Sequence, residues 1–184
     1  MRTSLLLVAV ILAVALAPAQ AQTARVIVVA DFANISVDSG VVPQATLSEI
    51  LRQLLQRWLP APVQVIAGDR VRAALRARGY THDDLIYPSR VALVAQDLGA
   101  DWVITGTWSQ LRVISRGTAD DPPFVRQGDA FAIADVEVRV LEASTRRRLL
   151  EERFSGRAPG GDLGSLIIAA TEALRDAAGR IAQL

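Results

Sequence analysis

The chain has 184 residues, 51% of them hydrophobic, with twenty basic against nineteen acidic side chains, one histidine and no cysteine. Lacking cysteine, it has no disulfides, thiolate metal sites, cysteine nucleophiles or lipidated N-terminal cysteine; its basic residues are all arginine, which excludes Schiff-base chemistry and a phosphate-loop lysine. The near-even charge gives no one-sided field to attract nucleic acid or an anionic membrane.

The first 21 residues have the form of an export leader. Arg2 is a short positive start, Leu5 to Ala17 is an unbroken apolar run, and Ala19-Gln20-Ala21 fits a small-x-small cleavage site. A membrane span takes ~20 apolar residues; this run is shorter and ends at Pro18. Cleavage near Ala21 is therefore expected, leaving residues 22–184 as a single domain with a core of its own.

"RVIVVADF", residues 25–32, is a continuous β-branched run, which predicts a strand buried on both faces. "ANISVDSGVVPQ" has no period and predicts a long loop. Leu47, Ile50, Leu51, Leu54, Leu55, Trp58 and Leu59 recur at helical spacing, and Pro60 and Pro62 stop that helix. "VQVI", residues 63–66, is a short strand. Asp69 is expected to cap a second helix with Val71, Ala74 and Leu75 inward, ended by Gly79. After the connector "YTHDDLIYP", Ser89 is expected to cap a third helix carrying Val91, Leu93, Val94 and Leu98, ended by Gly99.

"DWVITGTW" then enters a strand. A phosphate cradle needs its glycines between a strand and a helix start. Here the order is helix, Gly99, strand, so Gly99 is a helix stop, and Gly106 marks a bend, a bulge or a close approach. Residues 116–129 are polar, contain Pro122-Pro123, and predict a loop. In "AFAIADVEVRVLEA", Val136, Val138 and Val140 alternate with Asp135, Glu137 and Arg139, the pattern of a half-buried strand. "STRR" is a tight turn and "RLLEERFSG" its hairpin partner. A last helix turns Leu163, Leu166, Ile167, Ala170, Leu174, Ala178 and Ile181 to one side.

The predicted order is β-α-β-α-α-β-β-β-α: an α/β (α+β) domain with one mixed sheet of about five strands packed with helices. Few residues in it suit chemistry. His82 with Asp83-Asp84 falls short of the three or four convergent ligands of a metal site and is expected at the surface. No serine elbow is present. Glu151 and Glu152 point to opposite faces of a strand, and Arg146-Arg147-Arg148 forms a solvated hairpin tip that also guards an edge. Trp102 and Trp108 share strand parity with Ile104 and are expected in the core. No catalytic, cofactor-binding or metal-binding residue is assigned.

Several segments, taken in order, resemble a known group. "VIVVADFANIS", "VQVIAGDRVRAALRARG", "ALVAQDLGADWVITGTW" and "VEVRVLEASTRRRLLEERFSG" resemble the curli-secretion lipoprotein (CsgG) family and the amino-terminal domain of the Tol–Pal propeller protein (TolB). The resemblance implies an anticodon-binding-like sandwich used in envelope assembly, without catalytic residues. The chain departs from both: it has no cysteine to lipidate, its loop 116–129 with the flanking strands is too short to add a barrel stave pair of ~9–11 spanning residues per strand beyond the domain, and the propeller is missing.

The expectation is a periplasmic, non-enzymatic interaction module that binds another envelope protein and takes no cofactor, nucleic acid or integral membrane position. A periplasmic small-ligand-binding protein is the alternative. The two long loops supply the expected partner contacts: Phe32, Asn34 and Ile35 on the first, Pro122, Pro123, Phe124 and Arg126 on the second. Aromatic and arginine side chains are the types enriched in interface anchors. The apolar C-terminal helix permits a homo-oligomer.

Overall fold

The computed structural model describes residues 24–35, 44–115 and 130–184. β1 (Arg25–Val29) is followed by the two-residue strand β2 (Ala33–Asn34), then α1 (Gln44–Trp58), β3 (Val63–Ile66) and α2 (Gly68–Ala77). A 3₁₀ turn (Asp83–Ile86) leads into α3 (Pro88–Leu98). The long strands β4 (Trp102–Ser115), β5 (Ala130–Glu142) and β6 (Arg148–Pro159) come next, and α4 (Leu163–Ile181) closes the chain. The result is one mixed sheet of six strands packed with four helices.

The sheet order is β3-β1-β4-β5-β6, with β2 on β4. β1 pairs in parallel with β3 and β4, and β4, β5 and β6 form an antiparallel meander. Periods explain the layers. In β1, Ile27 and Val29 join one core while Val28 joins the other, so the strand is buried on both faces as its sequence predicts. α1 and α4 cover the first face; α2, α3 and Leu85 of the 3₁₀ turn cover the β3–β1–β4 half of the second. The rest of the second face carries Asp135, Glu137 and Arg139 opposite Ser155, Arg153 and Glu151.

β4 keeps facing the first core across a bulge. The register shifts by one residue between Trp108 and Gln110, so even positions Trp102, Ile104 and Trp108 and then odd position Leu111 all point inward. α4 sits close to the sheet because its inner stripe is mostly alanine: Ala169, Ala170, Ala173, Ala177 and Ala178 are all fully buried. Gly156 of β6 completes that approach, since a Cβ there would overlap the Ala169 carbonyl oxygen and stand 2.8 Å from Ala173 N.

Several expectations shift. Asp69 is not the cap of α2; Ala67 holds the N-cap position without a side-chain bond, and Asp69 lies in the first turn. Ser89 is likewise one step inside α3, because Pro88 with its fixed φ takes the first helical position after Tyr87. Trp58, Leu93 and Leu163 are exposed: Trp58 and Leu163 stand at helix ends, and the buried stripe of α3 centres on Val91, Val94 and Ala95. Gly99 ends α3 in the left-handed conformation and Gly79 follows α2 in the same way. β2 replaces the start of the expected first loop; the second loop, 116–129, lies outside the described residues.

Candidate functional site

The chemically richest place lies where β1 stops. Val29 pairs with Ile104 and Ala33 with Thr107, so the β1–β2 line carries one residue more than β4 across the break. That extra residue frees two side chains to turn in opposite directions. Phe32 turns into the first core, fully buried, with its ring against Gly106, where a Cβ would overlap it. This is the close approach that Gly106 signals. Asp31 turns the other way, into a ring of polar groups.

Asp31 is 6% exposed and fully partnered. Ser48 Oγ donates to its Oδ1 at 2.7 Å and Arg52 Nη2 to the same oxygen at 3.1 Å. On Oδ2 the partners are His82 Nε2 at 3.1 Å and Arg72 Nη1 at 3.4 Å. The Asp31 backbone N–H donates to His82 Nδ1 at 3.1 Å. Both ring nitrogens of His82 thus lie within 3.1 Å of one residue. Burial pushes the Asp31 carboxyl up, but hydrogen bonds from His82, Ser48 and Arg52 outweigh it and hold the group well below the usual carboxylate range.

Arg52 extends the network. Its side chain is 3% exposed; Nη2 also donates to the Val29 carbonyl at 2.7 Å, and Nη1 donates to Glu49 at 3.0 Å. The guanidinium lies flat under the start of α2, where a Cβ on Gly68 would stand 2.6 Å from Nη1. One carboxylate thus ties together β1, α1, α2 and the connector before α3. His82, expected at the surface, is instead this connector's link to β1. Asp31 and Arg52 escaped the sequence analysis, though a signal existed: Ser48 and Arg52 are four apart on α1, beside the stripe of Leu47, Leu51 and Leu55.

A shallow cleft opens beside the cluster on the second sheet face. Thr105 and Thr107 of β4 stand opposite Arg139 and Glu137 of β5, with Leu85 and His82 as the far wall. This is the carboxyl end of the parallel strands, where the chain first goes to one side of β1 and then to the other, the usual place for a ligand in such sheets. The cleft is tight: its enclosed part has room for one water molecule at most. Arg139 is committed to Glu137 and, at 2.8 Å, to Glu151. Among the described residues, no group of three or more histidine and acidic side chains could hold a metal ion, and no helix is long and apolar enough to cross a membrane.

The expected partner contacts separate. Phe32 is core and offers no surface. Asn34 is half-buried on β2 opposite Trp108. Ile35 is 61% exposed, with its N–H donating to the Trp108 carbonyl. Pro122, Pro123, Phe124 and Arg126 lie outside the described residues.

Compared by sequence, the chain matches no family and no curated protein. Compared by structure, it is similar to the hypothetical protein CT253 from Chlamydia trachomatis, at 15% identity and a TM-score of 0.56, covering 86% of this chain and 96% of that one. It is also similar to the lipoprotein GNA1162 from Neisseria meningitidis, at 18% identity and a TM-score of 0.54, covering 87% and 99%. At these identities the likeness is one of fold: the same sheet-and-helix body recurs nearly whole in both.

Proposed function

We propose that this chain is an exported, non-enzymatic interaction module of the bacterial cell envelope that binds another envelope protein. The observation that carries the proposal is the saturation of Asp31 and His82. Among the described residues they are the one histidine–carboxylate contact, and their contacts join β1, α1, α2 and the connector. A general base needs a free lone pair within reach of substrate, and this pair serves the frame instead. The leader-like residues 1–21 support export, and a fold shared with a lipoprotein fits that compartment. The resemblance to curli-secretion and Tol proteins belongs to the same proposal.

The partner contact is assigned to Ile35, at the end of the sheet beyond β2, and to Pro122, Pro123, Phe124 and Arg126 of the segment 116–129, which lies outside the described residues. Photo-crosslinkers at Ile35 and at Phe124, with one at Arg153 on the polar sheet face as control, test this in living cells. One discrete partner captured from the first two positions and absent from the control supports the proposal. Equal capture from all three would remove that end from the binding surface.

A second reading is a periplasmic binder of a small polar ligand, which could sit only at the open mouth of the cleft at Thr105, Thr107 and His82, since its enclosed part has no room for one. Thermal shift against a panel of periplasmic metabolites separates the two, because a ligand held by the native state alone raises the melting temperature.

A further inference from the structure

The end of the molecule opposite β2 gathers features that nothing above uses. Arg25 opens β1, its N–H bonded to the Pro62 carbonyl at 3.0 Å and its guanidinium 4.1 Å from the Trp102 ring centroid. The same end holds the last residues of α1, the tip of the β5–β6 hairpin and the end of α4: Leu184 lines one groove with Arg25, Arg147 and Arg148, and Trp58 lies over Gly179 of α4.

Two apolar side chains are exposed here, Trp58 at 39% and Leu184 at 47%. Six arginines surround them. Arg147, Arg148 and Arg180 pair with Glu142, Glu151 and Glu152. Among the described residues, Arg25, Arg57 and Arg146 have no carboxylate partner; Asp101, which accepts the Val26 N–H, and Asp176, one turn before Arg180 on α4, are nearby acids outside those pairs. Arg146 sits in the left-handed conformation at the hairpin tip. The chain enters the fold at this same end.

From this convergence we infer that the pole formed by Trp58, Leu184, Arg25, Arg57 and Arg146 docks on the surface of an anionic phospholipid bilayer. The inference rests on the export reading, since that reading brings this pole to the outer face of a membrane. Tryptophan belongs at such interfaces, with an apolar body and a polar N–H. Arginine near the surface meets phosphate headgroups, and its contribution falls away within a Debye length. The balanced charge of the whole chain hides this pole, whose acids are in part already paired to Arg147, Arg148 and Arg180, leaving Arg25, Arg57 and Arg146 without a carboxylate. Docking here leaves the β2 end, with Ile35, directed away from the bilayer.

Vesicle flotation of the exported chain, its N-terminus sequenced to show that the leader is gone, tests the inference. Phosphatidylcholine vesicles are compared with vesicles that also contain phosphatidylglycerol. The bound fraction is expected to rise on the anionic vesicles and to fall as salt is added. The double variant Arg57→Gln/Arg146→Gln, both surface positions, is expected to lower partitioning on the order of tenfold, with an unchanged melting temperature. Trp58→Ser is expected to weaken binding separately. Equal binding to both vesicles, or binding that the double variant leaves unchanged, overturns the inference; either outcome leaves partner capture at Ile35 untouched, so the two proposals fail independently.

Discussion

At Gly106 the backbone has no room for a methyl group. The Phe32 ring occupies that space, and Phe32 is itself enclosed by the first core. Gly106→Ala is therefore expected to destabilise the fold by about 1–3 kcal/mol, the usual range for overpacking. Phe32→Leu in the same chain should return part of that loss, and a double-mutant cycle by urea unfolding measures the coupling. Asp31 shows the opposite economy of space, with a small side chain holding four elements. Asp31→Ala leaves the buried Arg52 with Glu49 as its one carboxylate and Ser48 without its acceptor on Asp31, a change expected to cost about 1–3 kcal/mol. The pH dependence follows from the same contacts. The carboxyl titrates lower in the native state than in the unfolded chain, where its pKa is about 3.9. Its contribution is thus complete above that value. Below it the unfolded state takes up the proton first, so acidification erodes stability as pH falls toward the native value. Thermal melting between neutral pH and pH ~3 should show this slope, and Asp31→Asn should flatten it.

α4 is anchored at its first turn and along its alanine stripe. Asp162 caps it, accepting from the Ser165 backbone N–H at 2.8 Å and from the Ser165 hydroxyl at 2.7 Å; these bonds hold its carboxyl below the usual range. Asp162→Ala should speed hydrogen exchange at Ser165 while leaving the rest of α4 protected, and Asp162→Asn, also a good cap, should retain most of the protection. Gly156→Ala acts on the whole helix. The added methyl meets backbone rather than a side chain that can swing away, so α4 must lift from β6, with an expected loss near or above 3 kcal/mol. These elements were legible in the sequence because α1, β5 and α4 repeat their apolar period many times. β2 was not, since two residues contain no period. The caps of α2 and α3 were misplaced by a residue or two, because Gly68 and Pro88 are themselves compatible with a first helical turn. The Asp31 cluster was illegible for another reason: its partners lie 17, 21, 41 and 51 residues away, and no local pattern joins them. His82 read as a surface residue because its one partner is set by topology.

Across the whole molecule, the two cores are not independent bodies. Neighbouring residues of the same strands alternate between them: Ile27 and Ile104 face α1 and α4, while Val28 and Val103 face α2 and α3. Neither face can be lost without exposing the other side of β1 and β4, which predicts a single cooperative transition. The tryptophans allow a direct test. Trp102 and Trp108 are buried in the first core and report on it by fluorescence, whereas Leu75 of α2 belongs to the second. Leu75→Ala removes a buried side chain at an expected cost of about 2–5 kcal/mol. If the sheet couples the cores, the fluorescence midpoint in urea moves as far as the far-ultraviolet circular dichroism midpoint, although Leu75 is outside the cluster that holds either tryptophan. A fluorescence transition that stays at its original midpoint while the dichroism signal shifts would mean that α2 and α3 unfold from a sheet that survives them. In that case Asp31 would be a local clasp on a detachable layer, and acid would release α2 and α3 before it unfolds the rest.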